Sequence, residues 1–167
     1  SAREDPVDDL WRLLAAPEAD VAYQALASLE QRPAEAVKLL QGKLGAIATA
    51  DDKTIAVHLR NLGSEQYAAR HRAFVELAKS GPGAAHHIAA AAKSAPNLET
   101  KRRLELLLES FHRPIDNPDD IRAFRSIVLL DRIHTPEARK LLQTVAAGAP
   151  AAWLTIEAKS ALQRPTP

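Results

Sequence analysis

Cysteine is absent from the 167 residues, which excludes disulfides, thiolate metal sites and a cysteine nucleophile and fits either redox compartment. Aromatic residues are scarce, at two Trp, two Tyr and three Phe, leaving little material for stacking on nucleic-acid bases. No charge dominates either. With 22 basic against 21 acidic residues the formal net charge is +1, so no global field marks a polyanion binder and any such role needs a local patch. No apolar run approaches the ~20 residues of a membrane span, and the charged start, 1–9, does not read as a signal peptide.

What is present points to helices. The chain holds 33 Ala and 22 Leu but only 15 Val and Ile together, a bias toward helix formers and away from strand formers. An all-α fold is expected, as one domain over 1–167 with weak joints at 46–50 and 113–116.

Eleven prolines fit this reading when they stand at helix starts. Pro6, Pro17, Pro33, Pro82, Pro118 and Pro136 each open an apolar-periodic segment, where the fixed φ suits the first turn and the missing N–H has no helical partner to lose. Asp5, Asn117 and Thr135 precede three of them as N-cap residues, while Asp51, Ser64 and Asn97 cap starts without proline. Between these signals apolar residues recur at i, i+3, i+4 and i+7, as in Leu104, Leu107, Leu108 and Phe111. The pattern predicts ten helices, at 6–15, 18–31, 33–45, 51–62, 64–80, 83–94, 97–112, 118–133, 136–147 and 151–163. Short connections favour stacked antiparallel hairpins. The expected core comprises Leu26, Leu29, Leu40, Phe74, Leu77, Ile88, Leu104, Leu107, Leu108, Phe111, Phe124, Val128, Leu141 and Leu142.

Three stretches, 25–44, 73–94 and 128–145, share an apolar helix, a short break ending in proline and a second apolar helix. Such repetition is the mark of an α-solenoid. The stretch IVLLDRIHTPEARKLLQTVAAGAPAAWLTIEAKSAL, 127–162, resembles a HEAT-like repeat of the phycobilisome-lyase type. NLGSEQYAARHRAFVEL, 61–77, is similar to the same repeat's turn and following helix, with Ala69 departing from its valine. With LWRLLAAPEADVAYQAL at 10–26 and PNLETKRRLELLL at 96–108, almost the whole chain resembles the helical region that follows a WD-repeat β-propeller in planctomycete proteins. Trp153 stands where that pattern has arginine. The resemblance implies a right-handed α-solenoid and a non-enzymatic scaffold or protein-protein interaction module at the C-terminal end of a larger propeller-containing protein. It brings no cofactor and no established reaction.

Among candidate sites, six histidines offer imidazole, but no His-x-x-x-His pair exists. His86 and His87 diverge by ~100° on a helix, so one helix does not present both to a metal. His112 and His134 fit helix C-termini, where the dipole favours their charge. No metal, cofactor or catalytic residue is expected.

Two surfaces remain. A terminal solenoid helix leaves a face uncovered, which makes Trp153, Leu154 and Ile156, with Leu10 and Trp11 at the other end, the expected partner-binding residues. The alternative is binding of DNA phosphates through a basic stripe: Arg122, Arg125 and Arg132 fall within ~80° of one another on a helix, with Lys101, Arg102 and Arg103 in support.

Overall fold

The computed structural model describes residues 6–112 and 116–165. All regular structure among them is helical: α1 (Val7–Leu13), α2 (Ala19–Glu30), α3 (Pro33–Gln41), α4 (Asp52–Leu62), α5 (Tyr67–Ser80), α6 (Ala85–Lys93), α7 (Leu98–Phe111), α8 (Pro118–Ile133), α9 (Pro136–Ala146) and α10 (Trp153–Gln163). A 3-10 turn, Gly81–Ala84, leads from α5 into α6. The all-α expectation holds, with no strand among the described residues.

Helix starts follow the local chemistry closely. Pro33, Pro118 and Pro136 each occupy the first helical position. Asp51, Asn97, Asn117 and Thr135 accept a hydrogen bond from the backbone N–H three residues on, satisfying an amide that the helix leaves free. Several expected starts move, α6 from 83 to Ala85 and α10 from 151 to Trp153 among them. Pro17 lies ahead of α2, and α5 begins at Tyr67 because the Ser64 hydroxyl accepts from the Gln66 amide at 3.2 Å, holding 64–66 in a turn. The expected cap Asp5 and the joint residues 113–115 lie outside the described residues.

The helices divide into two compact units. The first holds α1–α3, α8, α9 and α10 from Leu154 onward. There the α2–α3 pair packs on the α8–α9 pair, α2 against α8 and α3 against both α8 and α9, while α1 covers α2 and α3. Leu14, Leu29, Leu40, Leu129, Leu130 and Val145 are fully buried in this unit. Arg139 donates to the Leu162 carbonyl at 3.3 Å and Arg164 pairs with Asp131, which fastens α10 to α9 and α8.

The second unit holds α4–α7 and the segment Ala149–Trp153. Helices α4 and α5 form one hairpin and α6 and α7 the next, stacked so that α4 meets α6 and α5 meets α7. Ile55, Leu62, Leu77, Ile88, Leu104 and Leu107 make its core, with Leu59, Phe74, Leu108 and Phe111 partly buried against them. Fully burying a leucine-sized side chain contributes about 1.5–3 kcal/mol, so six such residues account for much of what holds two short hairpins together.

The break at Pro82 therefore differs from those at Pro33 and Pro136. The latter two separate paired helices, whereas the Pro82 turn is the step from one hairpin to the next. Of the expected core, Phe74, Leu108, Phe111, Phe124 and Val128 are half-buried and the other nine are buried.

Candidate functional site

A cleft of about 840 Å³ lies wholly within the second unit. Its position follows from how three chain segments are fixed. The Asp51 carboxylate accepts from both the amide and the hydroxyl of Thr54 at 2.8 Å, which starts α4 and sets Asp52 in its first turn. Those hydrogen bonds to Thr54, the amide's first, hold the Asp51 carboxyl below its ordinary pKa.

The irregular stretch before Asp51 is pinned at both ends. The Ala50 amide donates to the Gly83 carbonyl at 3.1 Å, and the Ala149 amide donates to the Ile47 carbonyl at 2.7 Å. Gly83 is required at this crossing, because a Cβ there would stand 2.6 Å from the Ala48 carbonyl oxygen. The turn that contains it aims the start of α6, and with it His86 and His87, at the cleft. His87 Nε2 stands 3.1 Å from Asp52 Oδ1, joining α6 to the start of α4, and the His86 ring meets the His87 ring edge-on at 5.5 Å.

The end of α7 supplies Leu108 and His112. His112 Nδ1 lies 2.8 Å from the Leu108 carbonyl; a carbonyl only accepts, so Nδ1 carries a proton and donates it there. Pro82, Gly83, Ala85, Ala89, Pro150 and Ala151 complete the lining. Small side chains and prolines leave the volume unfilled, while Thr49, Asp52 and the three imidazoles give it hydrogen-bonding edges. Leu108 and His112 also border a second, more open groove of about 400 Å³ with Glu105 and Glu109. No three His, Asp or Glu side chains are grouped to hold a metal ion among the described residues.

The expected partner edge is only partly on the surface. Leu10 and Leu154 are 3% and 8% exposed: both lie on the inward stripes of α1 and α10 and offer a partner little surface. Ile156 is half exposed. Trp11 is half-buried, with the Arg122 guanidinium carbon 4.8 Å from its ring centroid, a cation–π contact inside the first unit. Trp153 is half-buried at the start of α10, two residues beyond Ala151 of the cleft lining.

The arginines of the expected stripe are bound up within the first unit. Arg122 also pairs with Asp119, Arg125 donates to the carbonyls of Leu14 and Ala16 at 2.7 and 2.8 Å, and Arg132 stands 3.7 Å from Glu30. Nucleic-acid phosphates would have to displace these partners. On α7, Arg103 pairs with Glu99 and Lys101 lies 3.9 Å from Glu105, while Arg102 is exposed.

Compared with protein-family models, curated proteins and solved structures, the chain matches none. The cleft itself has no motif in the sequence. Its residues span positions 49 to 151, and the one chemical signal, a histidine pair beside an N-capped helix, has meaning only once α4 and α6 are stacked.

Proposed function

We propose that the chain is a HEAT-like helical scaffold module that holds a segment of a partner protein in the cleft of the α4–α7 unit. The observation that carries this reading is the cleft's construction: about 840 Å³, within the ~300–1,000 Å³ of typical ligand sites, walled by Pro82, Gly83, Ala85, Ala89, Pro150 and Ala151. An extended peptide carries an amide and a carbonyl per residue. Thr49, with a hydroxyl that donates and accepts, and the Asp52 carboxylate at the edges offer partners to both, while the small residues let its backbone approach closely.

The stacking of like helices, α4 on α6 and α5 on α7, supports the HEAT-like part of the reading, because such repeats bury their apolar stripes against equivalent helices of the neighbour. On the sequence resemblance, we read this module as one that follows a β-propeller in a longer protein. Trp153, two residues beyond Ala151 of the lining, is the aromatic side chain at which a partner extends its contact.

A peptide-display selection against the chain, followed by binding measurements on the selected peptides, tests the proposal. Ala89→Arg fills the cleft with a long side chain and should abolish binding, whereas Tyr23→Ala, at an exposed site of α2, should leave it unchanged. Peptides that bind wild type and Ala89→Arg equally would overturn it.

A further inference from the structure

Two basic clusters remain unused by that reading, Arg70 to Arg72 on α5 and Lys101 to Arg103 on α7. They are thirty residues apart in sequence, yet the contact of α5 with α7 brings Arg70 and Arg103 into the lining of one pocket of about 200 Å³, together with Tyr67, His71 and Phe74. We propose that this pocket binds a small aromatic anion, a single ring bearing a phosphate or carboxylate.

The cationic half is preorganised. Arg70 Nη1 donates to the carbonyls of Ser64 and Glu65 at 2.8 and 2.6 Å, and these bonds hold the guanidinium in place. They use backbone oxygens, and no carboxylate pairs with Arg70 among the described residues. Its Nε is buried with no hydrogen-bond partner among the described residues, an arrangement that costs free energy. Arg103 is largely covered and engages Glu99 through Nη2 alone; a guanidinium has five N–H donors, so donors remain for an incoming oxygen. No carboxylate lines the pocket. Two guanidinium groups with free donors and no lining acid suit an anion that accepts several charge-assisted hydrogen bonds.

The aromatic half stands beside it. The rings of Tyr67 and His71 lie nearly parallel, 13° apart with centroids at 6.0 Å, and Phe74 is half-buried in the lining. Tyr67 is 71% exposed, an unusual cost for a large ring that a stacked ligand would recover. Arg70 lies 5.9 Å from the Tyr67 centroid, so ring and charge are presented side by side, as an aryl anion presents them. The volume is below that of a cofactor site, which limits the occupant to one ring and one anionic group.

The test titrates the chain with phenyl phosphate, benzoate, inorganic phosphate and phenol at millimolar concentrations, followed by NMR. Phenyl phosphate or benzoate should bind more tightly than inorganic phosphate or phenol, and the first two tell which anion is preferred. Arg103→Gln and Tyr67→Ala should each weaken binding by about tenfold or more, the effect of losing one charge-assisted contact or one stacking partner. Glu99→Gln should strengthen it by releasing Arg103, and Arg102→Gln, outside the pocket, should change nothing. Tyr67 is so exposed that its truncation leaves the fold intact, which unchanged circular dichroism would verify. Silence from both aryl anions, inorganic phosphate binding as tightly as phenyl phosphate, or binding indifferent to Arg103→Gln and Tyr67→Ala would overturn the proposal.

Discussion

Arg125 reaches from α8 to the Leu14 carbonyl at the end of α1, donating at 2.7 Å, and the same nitrogen serves the Ala16 carbonyl at 2.8 Å. A residue that appears from sequence as part of a basic surface stripe is thus the C-terminal cap of a seven-residue helix. Its positive charge opposes the negative end of that helix's dipole. Arg125→Ala removes both hydrogen bonds and leaves two carbonyls to find water. The expected cost is about 1.5–3 kcal/mol, the range for hydrogen bonds to a charged group, read by urea denaturation. A loss below ~0.5 kcal/mol would mean that the contact is only a surface ornament.

Thr155 is fully buried in α10 and its hydroxyl finds no partner among the described residues. A buried unsatisfied hydroxyl is a standing penalty. Thr155→Val keeps the branched shape and removes the penalty, so the melting midpoint should rise, with a gain of about 1 kcal/mol. Destabilisation by the valine would show that the hydroxyl is bonded after all.

The turn before α6 depends on two glycines for different reasons. Gly81 has φ of +60° with ψ of −157°, a region that a Cβ makes costly, whereas Gly83 is crowded by the Ala48 carbonyl. Gly81→Ala should cost about 1–3 kcal/mol through backbone strain. Gly83→Ala should cost a similar ~1–3 kcal/mol through overpacking, and it should also displace 47–50 from the cleft wall. Faster amide exchange at Ala50 in Gly83→Ala, but less so in Gly81→Ala, would separate the two mechanisms.

The lowered pKa of Asp51 gives a pH dependence of fixed sign. Its ionised form accepts from Thr54, so the stabilisation is fully present above the ordinary Asp value, near pH ~4, and disappears as pH falls through the lower folded value. Glu76, lowered chiefly by its hydrogen bond from Lys79, acts in the same direction. Asp51→Asn keeps a capping acceptor that does not titrate. Its melting temperature should therefore decline less steeply than wild type below pH ~4, and parallel acid profiles would refute the assignment.

Helix positions were open to reading from sequence because their signals are local. Pro118 with Asn117, and Pro136 with Thr135, fix φ and supply a cap within two residues. Ser64 misleads because its hydroxyl is equally able to close a turn two residues ahead as to cap a helix. Burial is harder to read. Leu108 and Phe111 share the apolar stripe of Leu104 and Leu107 but stay half exposed near the end of α7, since the stripe outruns the helices that cover it. The cleft was not readable at all. It is formed by what Ala85, Ala89 and Ala151 lack, and missing volume leaves no motif.

The six histidines provide the most direct test of the central claim, that a partner segment occupies the α4–α7 cleft. His86, His87 and His112 line it; His58, His71 and His134 do not. When a selected peptide is titrated into the chain, the imidazole ring resonances of His86, His87 and His112 should shift together with the binding curve while the other three stay in place. Shifts confined to His58, His71 or His134, or binding with no imidazole shift at all, would contradict it.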